Sequence, residues 1–313
     1  MIIVGAGLAG LVAAQSLAAE GRASVVLEKA PTPGGRLATT RLAGAAMDSG
    51  AQFFTVRDAD FAQLVHDWRV AGLARTWCHG FGAVPDGFPR YSIEGGMHTL
   101  AVYLAAGAHV EYGTGVTRVE PARVVVEDGR VFESDTIVVT APVPAALSLL
   151  DPAANWQIDD ALRSVRYAPC LAALVVLDRP SLVPEPGGCQ LTPADDPTFS
   201  FVGDNQQKDI SGAPALTLHA NDEVSAGRFD DDPDTTLAWL LSRAERYIGE
   251  AKVLDAKLER WRFARPVRGH PERCVAVSFE PLVVLAGDGF GGAKVEGAAL
   301  SGLFAATSIL SVG

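Results

Sequence analysis

The chain has 313 residues, 48% hydrophobic and 20% charged, with a formal net charge of −11. That length supports a large core, most simply in two lobes, and the negative balance argues against nucleic acid or an anionic membrane surface as a partner. The four cysteines, Cys78, Cys170, Cys189 and Cys274, form no CxxC pair and no His/Cys cluster of metal-ligand spacing, so no metal site is expected and they read as reduced, mostly buried thiols.

Met1-Ile2-Ile3-Val4 is a short apolar run that predicts a strand, and Gly5-Ala6-Gly7-Leu8-Ala9-Gly10 follows at once. A helix of small residues then runs to Gly21, and residues 23–27 predict a second strand that ends in Glu28 and Lys29. This is the order of a dinucleotide-binding βαβ unit. Gly5 serves the tight turn, Gly7 lets a pyrophosphate approach the backbone, and Gly10 lets the helix pack close to the strand. The helix N-terminus offers free N–H groups and a partial positive charge to the same pyrophosphate. Glu28, eighteen residues after Gly10, stands where a carboxylate accepts hydrogen bonds from ribose hydroxyls. No apolar run reaches the roughly eighteen residues of a bilayer span, and the chain opens on the cofactor strand itself. The expectation is therefore a cytoplasmic protein with no signal peptide and no membrane partner.

Further along, Phe61, Leu64, Val65 and Trp68 give residues 60–73 helical spacing, and Gly/Pro-rich loops occupy 80–89. Gly95-Gly96-Met97 opens a helix over 98–106. Val116 falls in a strand over 115–119, and residues 124–132 form a hairpin turned at Asp128-Gly129. Residues 135–140 are nearly all apolar, as in a buried parallel sheet. Strands are expected at 171–177 and 216–220, and an amphipathic helix at 233–248 entered by Asp residues. A buried strand over 281–286 leads into Gly287-Asp288, and the last helix runs from 295 towards 310. The expected fold class is α/β: a discontinuous Rossmann-type dinucleotide-binding domain (1–55, 93–150 and 273–313) with an inserted α+β substrate domain (56–92 and 151–272) containing a mixed sheet.

Several motifs lie beyond the glycine loop. They are Pro33-Gly34-Gly35-Arg36, the run Asp48-Ser49-Gly50-Ala51-Gln52-Phe53-Phe54-Thr55-Val56-Arg57-Asp58, and Arg260-Trp261-Arg262-Phe263-Ala264-Arg265-Pro266. Ala286-Gly287-Asp288 and Lys294-Val295-Glu296-Gly297-Ala298-Ala299-Leu300-Ser301-Gly302 complete the set. In this order they resemble the flavin-containing amine oxidase superfamily, and more narrowly the renalase family and its bacterial members. The resemblance covers both ends and the middle hairpin and is weak over 178–215.

The resemblance implies noncovalent FAD, since no cysteine lies beside the segment where a covalent link would form. It implies cofactor contacts at Gly5, Gly7, Leu8, Ala9, Gly10, Glu28, Lys29, Gly35, Arg36, Gly50, Ala51, Gln52, Phe53, Val116, Asp288, Val295, Glu296 and Gly297. A guanidinium at Arg36, beside two glycines, suits phosphate oxygens. Backbone N–H groups of Gly50-Ala51-Gln52 would lie close to the isoalloxazine, and backbone groups at Val116 would meet adenine, although that residue also reads as a plain core valine. Asp288 matches the acid near the ribityl or pyrophosphate portion, at the carboxyl edge of the sheet. The last helix would aim its positive end at the flavin N1–C2 carbonyl region, where reduced flavin carries negative charge. Glu296 is then expected to turn its carboxylate away.

The implied reaction is hydride transfer from a small reduced donor, a dihydronicotinamide isomer of NAD(P), to flavin N5, with O2 as acceptor and hydrogen peroxide as product. Such a donor needs orientation and a dry pocket more than acid/base groups, and the sequence offers no Ser/His/Asp set. The candidate catalytic residues are His219 and Trp261. His219 suits either a substrate carboxamide or a structural hydrogen bond; Trp261 suits either the flavin pocket or core packing. Arg262 and Arg265 suit substrate phosphates or a solvated face. In place of a strongly aromatic amine-oxidase segment stands Gly289-Phe290-Gly291-Gly292-Ala293, which suits a wider pocket. Two other readings remain: another oxidase or desaturase of the superfamily acting on an amine or secondary metabolite, and a flavin-binding module without turnover. The sequence leaves the oligomeric state open.

Overall fold

The computed structural model describes residues 1–82 and 86–312. Residues 83–85, part of the expected 80–89 loop, lie outside the described residues. The chain divides into two units, Met1–Gly35 with Leu100–Arg166 and Pro266–Gly313, and Arg36–Thr99 with Tyr167–Arg265.

The first unit is built on a six-stranded sheet. Its centre is the strand Ile2–Val4, which pairs in parallel with Val25–Leu27 on one side and Thr136–Val139 on the other. His109–Glu111 adds a parallel strand beyond Val25–Leu27, and Leu282–Leu285 adds one beyond Thr136–Val139. The antiparallel strand Val275–Phe279 closes that edge, so the sheet is mixed. These strands are short and apolar because both faces of a parallel sheet are covered. The helix Leu8–Ala19 buries Leu8, Leu11, Val12 and Leu17. A three-stranded antiparallel sheet, Val116–Glu120, Arg123–Val126 and Val131–Glu133, carries the Asp128-Gly129 hairpin.

The second unit carries a five-stranded sheet. Its strands stand in the spatial order Gly188–Gln190, Phe199–Asp204, Ala215–Ala220, Arg166–Leu177, Val253–Arg268. The pairings among the first four are antiparallel. Register places Phe201 opposite His219 and His219 opposite Ala172. Cross-strand partners share a face, so these three stand on one side. The opposite face packs Phe199, Val202, Leu216 and Leu218 with Leu240, Tyr247 and Ile248 from the following helices.

The structure moves several expected boundaries. Residues 36–55 and 93–99 belong to the second unit, and 151–166 and 266–272 to the first. The hairpin Thr39–Leu42 with Ala45–Asp48 joins the second unit because Ala45 and Met47 pack on Leu174, Val176 and Ala215. Residues 151–157 stay with the first through Asp151 N–H to Val119 O and Gln157 N–H to Val277 O, both 2.8 Å. The expected helix at 233–248 is two helices, Pro233–Arg243 and Glu245–Ile248, because Ala244 leaves helical geometry at φ −94°, ψ 4°. The strand at 171–177 is longer, Arg166–Leu177, and the sequence around 253–268 gave no sign of its 16-residue strand. All four cysteines are half-buried by side-chain exposure rather than mostly buried. Burial nevertheless pushes the Cys170 thiol up to about 12, so it is inert as a nucleophile at neutral pH.

Candidate functional site

In the first unit the glycine turn shows three different constraints. Gly5 has φ +101°, in the region that favours glycine. At Gly10 a Cβ would collide with the Gly5 carbonyl, so the helix sits against the turn only because no side chain is there. At Gly7 a Cβ would meet nothing within 4 Å. Gly7 is also the N-cap of Leu8–Ala19, and no side chain caps that helix end. An open backbone surface at an uncapped helix N-terminus is what a pyrophosphate requires. Leu8 and Ala9 are buried in the first turn, so they can offer only backbone groups.

Glu28 is 8% exposed and ties this turn together. Its Oε2 accepts from Ala6 N–H at 2.7 Å and its Oε1 from Ala30 N–H at 2.8 Å. Each oxygen retains acceptor capacity for a ribose hydroxyl. Lys29 beside it is exposed. The segment leading to Val116 runs along the same edge, since Thr114 N–H donates to Glu28 O and Gly113 N–H to Ala30 O. At the same carboxyl edge of the sheet, after the parallel strand Leu282–Leu285, Asp288 lines a cavity of about 300 Å³ with His270, Gly269, Gly291, Gly292 and Ala293. Gly287 N–H is held by the buried Ser301 hydroxyl at 2.7 Å, which fixes the turn before Asp288. The helix Lys294–Val312 begins after this turn; Val295 and Gly297 are buried and Glu296 is half-buried in the first turn. The turn, the carboxylate and the uncapped helix fit the adenosine diphosphate portion of FAD.

In the second unit the site is organised by one carbonyl. Ser49 O accepts from His219 Nε2 at 3.1 Å and from Trp261 Nε1 at 3.0 Å. A carbonyl can only accept, so neutral His219 carries its proton on Nε2 and leaves Nδ1 as an acceptor. Burial is the main reason the His219 pKa falls to about 4, with the Lys208 charge adding to it; the imidazole is neutral at physiological pH.

Beneath the Ser49 turn lies a buried ion pair. Lys208 Nζ donates to Asp48 Oδ2 at 2.6 Å, and both side chains have 0% exposure. Asp48 Oδ1 accepts from Thr39 Oγ1 at 2.6 Å and Met97 N–H at 2.8 Å, while Thr217 Oγ1 donates to Asp48 O at 2.9 Å. Desolvation pulls the Lys208 pKa down and the Asp48 charge opposes that fall.

Four rings gather on the same unit. Phe53 lies 5.2 Å from Phe81 and 5.8 Å from Phe201, and Trp77 lies 5.1 Å from Phe81, centroid to centroid. Trp77 Nε1 is anchored on Pro186 O at 2.9 Å.

His219 and Trp261 thus meet on the Ser49 carbonyl, a convergence that the sequence did not indicate. The other candidates take the following places. Arg36, drawn as a phosphate ligand, uses Nη1 on the carbonyls of Phe263 (3.0 Å) and Ala264 (3.3 Å). Ala51 N–H, expected near the isoalloxazine, donates to Arg36 O at 2.9 Å, and a Cβ on Gly50 would strike that same carbonyl. Gln52 donates to Asp48 O at 2.5 Å and Gly50 O at 3.1 Å, and its Oε1 is buried without a partner. Gly35 opens the short 3-10 turn that carries Arg36. Arg262 pairs with Asp230 at 3.0 Å and Arg265 pairs with Asp222, so both are engaged by surface carboxylates. Sequence reasoning missed Lys208 altogether. It sits in a polar run, Gln206-Gln207-Lys208-Asp209, that reads as solvated, and nothing local marks it as buried. It also missed the ring cluster, whose members lie far apart in sequence. Among the described residues no group of His, Cys, Asp and Glu could hold a metal, and no helix is long and apolar enough to cross a membrane.

Comparison with known proteins agrees with this geometry. Residues 62–310 match the model of the flavin containing amine oxidoreductase family, and residues 3–68 match an NAD(P)-binding Rossmann-like domain. The chain belongs to the flavin-containing amine oxidoreductase family; it is an FAD-dependent oxidoreductase. Hydroxyneurosporene desaturase of Rubrivivax gelatinosus is 44% identical over 57 residues, 18% of this chain and 11% of that protein. Lysine-specific histone demethylase 1 homolog 2 of Arabidopsis thaliana is 35% identical over 117 residues, 36% of this chain and 14% of that protein. The match therefore spans well under a fifth of either relative's length. Among solved structures, putrescine oxidase bound to putrescine superposes with a TM-score of 0.72 at 15% identity, covering 99% of this chain and 98% of that one. Reduced UDP-galactopyranose mutase gives 0.72 at 11% identity, covering 100% and 95%. At those identities the likeness is one of fold.

Proposed function

We propose that this protein is an oxidase of the renalase type, taking hydride from a small reduced donor, a dihydronicotinamide isomer of NAD(P), with O2 as the acceptor. Noncovalent FAD, when bound, supplies a two-electron acceptor at N5 and returns the electrons to dioxygen as hydrogen peroxide. The first unit binds the adenosine end: backbone N–H groups at Gly7–Gly10 meet the pyrophosphate, Glu28 the ribose, the backbone at Val116 the adenine, and Asp288 the ribityl or pyrophosphate portion. The second unit orients the donor. His219 Nδ1 accepts a hydrogen bond from the donor's carboxamide N–H, and Trp261 holds the Ser49 turn that fixes the imidazole.

The observation that carries this reading is the shared Ser49 carbonyl, which locks His219 as a neutral acceptor. A pKa of about 4 makes it a poor proton donor and a very weak base at neutral pH. A donor that already carries a transferable hydride and a ring-nitrogen lone pair has no need of proton removal. Orientation in a water-poor pocket is sufficient. The test is anaerobic mixing of the FAD-loaded protein with dihydronicotinamide isomers, ordinary NADH and putrescine, while following loss of the oxidised-flavin absorbance. The isomers should bleach it fastest. Bleaching by putrescine alone, or by none of the three, overturns the assignment.

A further inference from the structure

The ring cluster carries an inference about which donors this second-unit surface accepts. Phe53, Trp77 and Phe81 are half-buried, and Phe201 completes the cluster at 7% exposure. Two of the protein's own cations already lie against these rings. The Arg90 guanidinium carbon stands 5.8 Å from the centroids of both Phe53 and Phe81, and Lys208 Nζ stands 5.3 Å from that of Trp77. Neither is free to swing away. Arg90 is 8% exposed and donates to Asp86 Oδ1 at 3.1 Å, Asp86 Oδ2 at 2.5 Å and Phe88 O at 2.7 Å. Lys208 is fully buried on Asp48.

We propose that Arg90 and Lys208 make this aromatic surface select an uncharged planar donor and reject a protonated amine. The proposal rests on the donor site read at His219, whose ring centroid lies 6.3 Å from that of Phe201 in this cluster. A ring attracts a cation through its negative face, and electron density drawn towards one cation is less available to a second. An ammonium entering here meets three rings whose faces are already engaged by cations that Asp86 and Asp48 neutralise, so it loses water without gaining a full cation–π contact. Among the described residues it also finds no unpaired counter-ion in the cluster. Asp48 and Asp86 are each occupied by the cation they hold, and His219 is neutral. An uncharged ring pays none of these penalties and keeps its stacking contacts.

Benzyl alcohol and benzylammonium, nearly identical in size and differing in charge, test this directly. Each is titrated into the FAD-loaded protein at low ionic strength and neutral pH, with binding followed by ligand-observed NMR. Benzyl alcohol should bind about tenfold more tightly or better. The double variant Arg90→Gln with Asp86→Asn removes one cation together with its partner and should shrink the ratio severalfold. Equal or tighter binding of benzylammonium overturns the proposal. So does binding of neither compound, or a ratio that the double variant leaves unchanged. Failure of dihydronicotinamides to reduce the flavin is a different outcome: it refutes the oxidase reading while the binding ratio still reports on the rings.

Discussion

His219 gives a pH dependence with a definite sign. Its ordinary pKa of 6.5 falls to about 4 in the folded protein, first through burial, with the Lys208 charge adding to it and the bond to Ser49 O opposing it. Above pH 6.5 the imidazole is neutral in both states and contributes nothing to the pH dependence. Between 6.5 and about 4 the unfolded chain binds a proton that the folded protein refuses, so stability falls as the pH falls. Below about 4 both states are protonated and the loss levels off. At about 1.36 kcal/mol per pH unit, that window of about 2.5 units is worth about 3 kcal/mol, a large share of the roughly 5–15 kcal/mol by which domains are stable. The assay is urea unfolding at intervals from pH 7.5 to 3.5 with FAD in excess, for the wild type and for His219→Gln. The Gln amide nitrogen reaches the place of the imidazole Nε2 and can donate to the Ser49 carbonyl, but it does not titrate. The wild-type free energy should fall more steeply than the variant's across this window, by about 3 kcal/mol in all. Parallel curves would refute the reasoning, because they would mean that His219 titrates alike in both states.

Three further outcomes follow from particular contacts. Lys208→Met leaves the Asp48 carboxylate buried without its cation and should cost about 3–5 kcal/mol in chemical denaturation, with Asp48→Asn added to it recovering part of the loss. Gly10→Ala puts a methyl group against the Gly5 carbonyl; overpacking of about 1–3 kcal/mol should appear with loss of FAD on gel filtration, and a variant that keeps full flavin contradicts the assigned close approach. Glu28→Gln replaces one carboxylate oxygen by an amide that cannot accept from backbone N–H, so FAD affinity should drop about tenfold or more for the loss of one charge-assisted hydrogen bond; unchanged affinity by flavin fluorescence removes Glu28 from the cofactor site.

The first unit was legible because its signals are local. The turn at Gly5–Gly10 and the acid at Glu28 sit in one stretch, with spacing set by backbone geometry, and the same holds for the hairpin at Asp128-Gly129. The second unit was legible only in pieces. His219 could be placed on a strand, but nothing in its neighbours said that it would meet the Ser49 carbonyl or share it with Trp261. Arg36 reads as a phosphate ligand from the glycines beside it, but nothing local announced the strand carbonyls that its Nη1 meets more than two hundred residues away. Lys208 and Asp48 are 160 residues apart, and only the packing of the hairpin on the sheet turns a solvated-looking lysine into a buried one. The break at Ala244 escaped notice for a simpler reason. Alanine favours helix by propensity, and tertiary packing overrode it.

The central claim is that a reduced nicotinamide ring gives its hydride directly to the flavin. The most direct measurement is single-turnover reduction of the FAD-loaded protein by a dihydronicotinamide isomer carrying deuterium at the reduced ring carbon. The account expects reduction severalfold slower than with the undeuterated donor, and no reduction by putrescine under the same conditions. Rapid reduction by putrescine with the nicotinamide isomers inert, or reduction at the same rate by the deuterated and undeuterated donors, would contradict it.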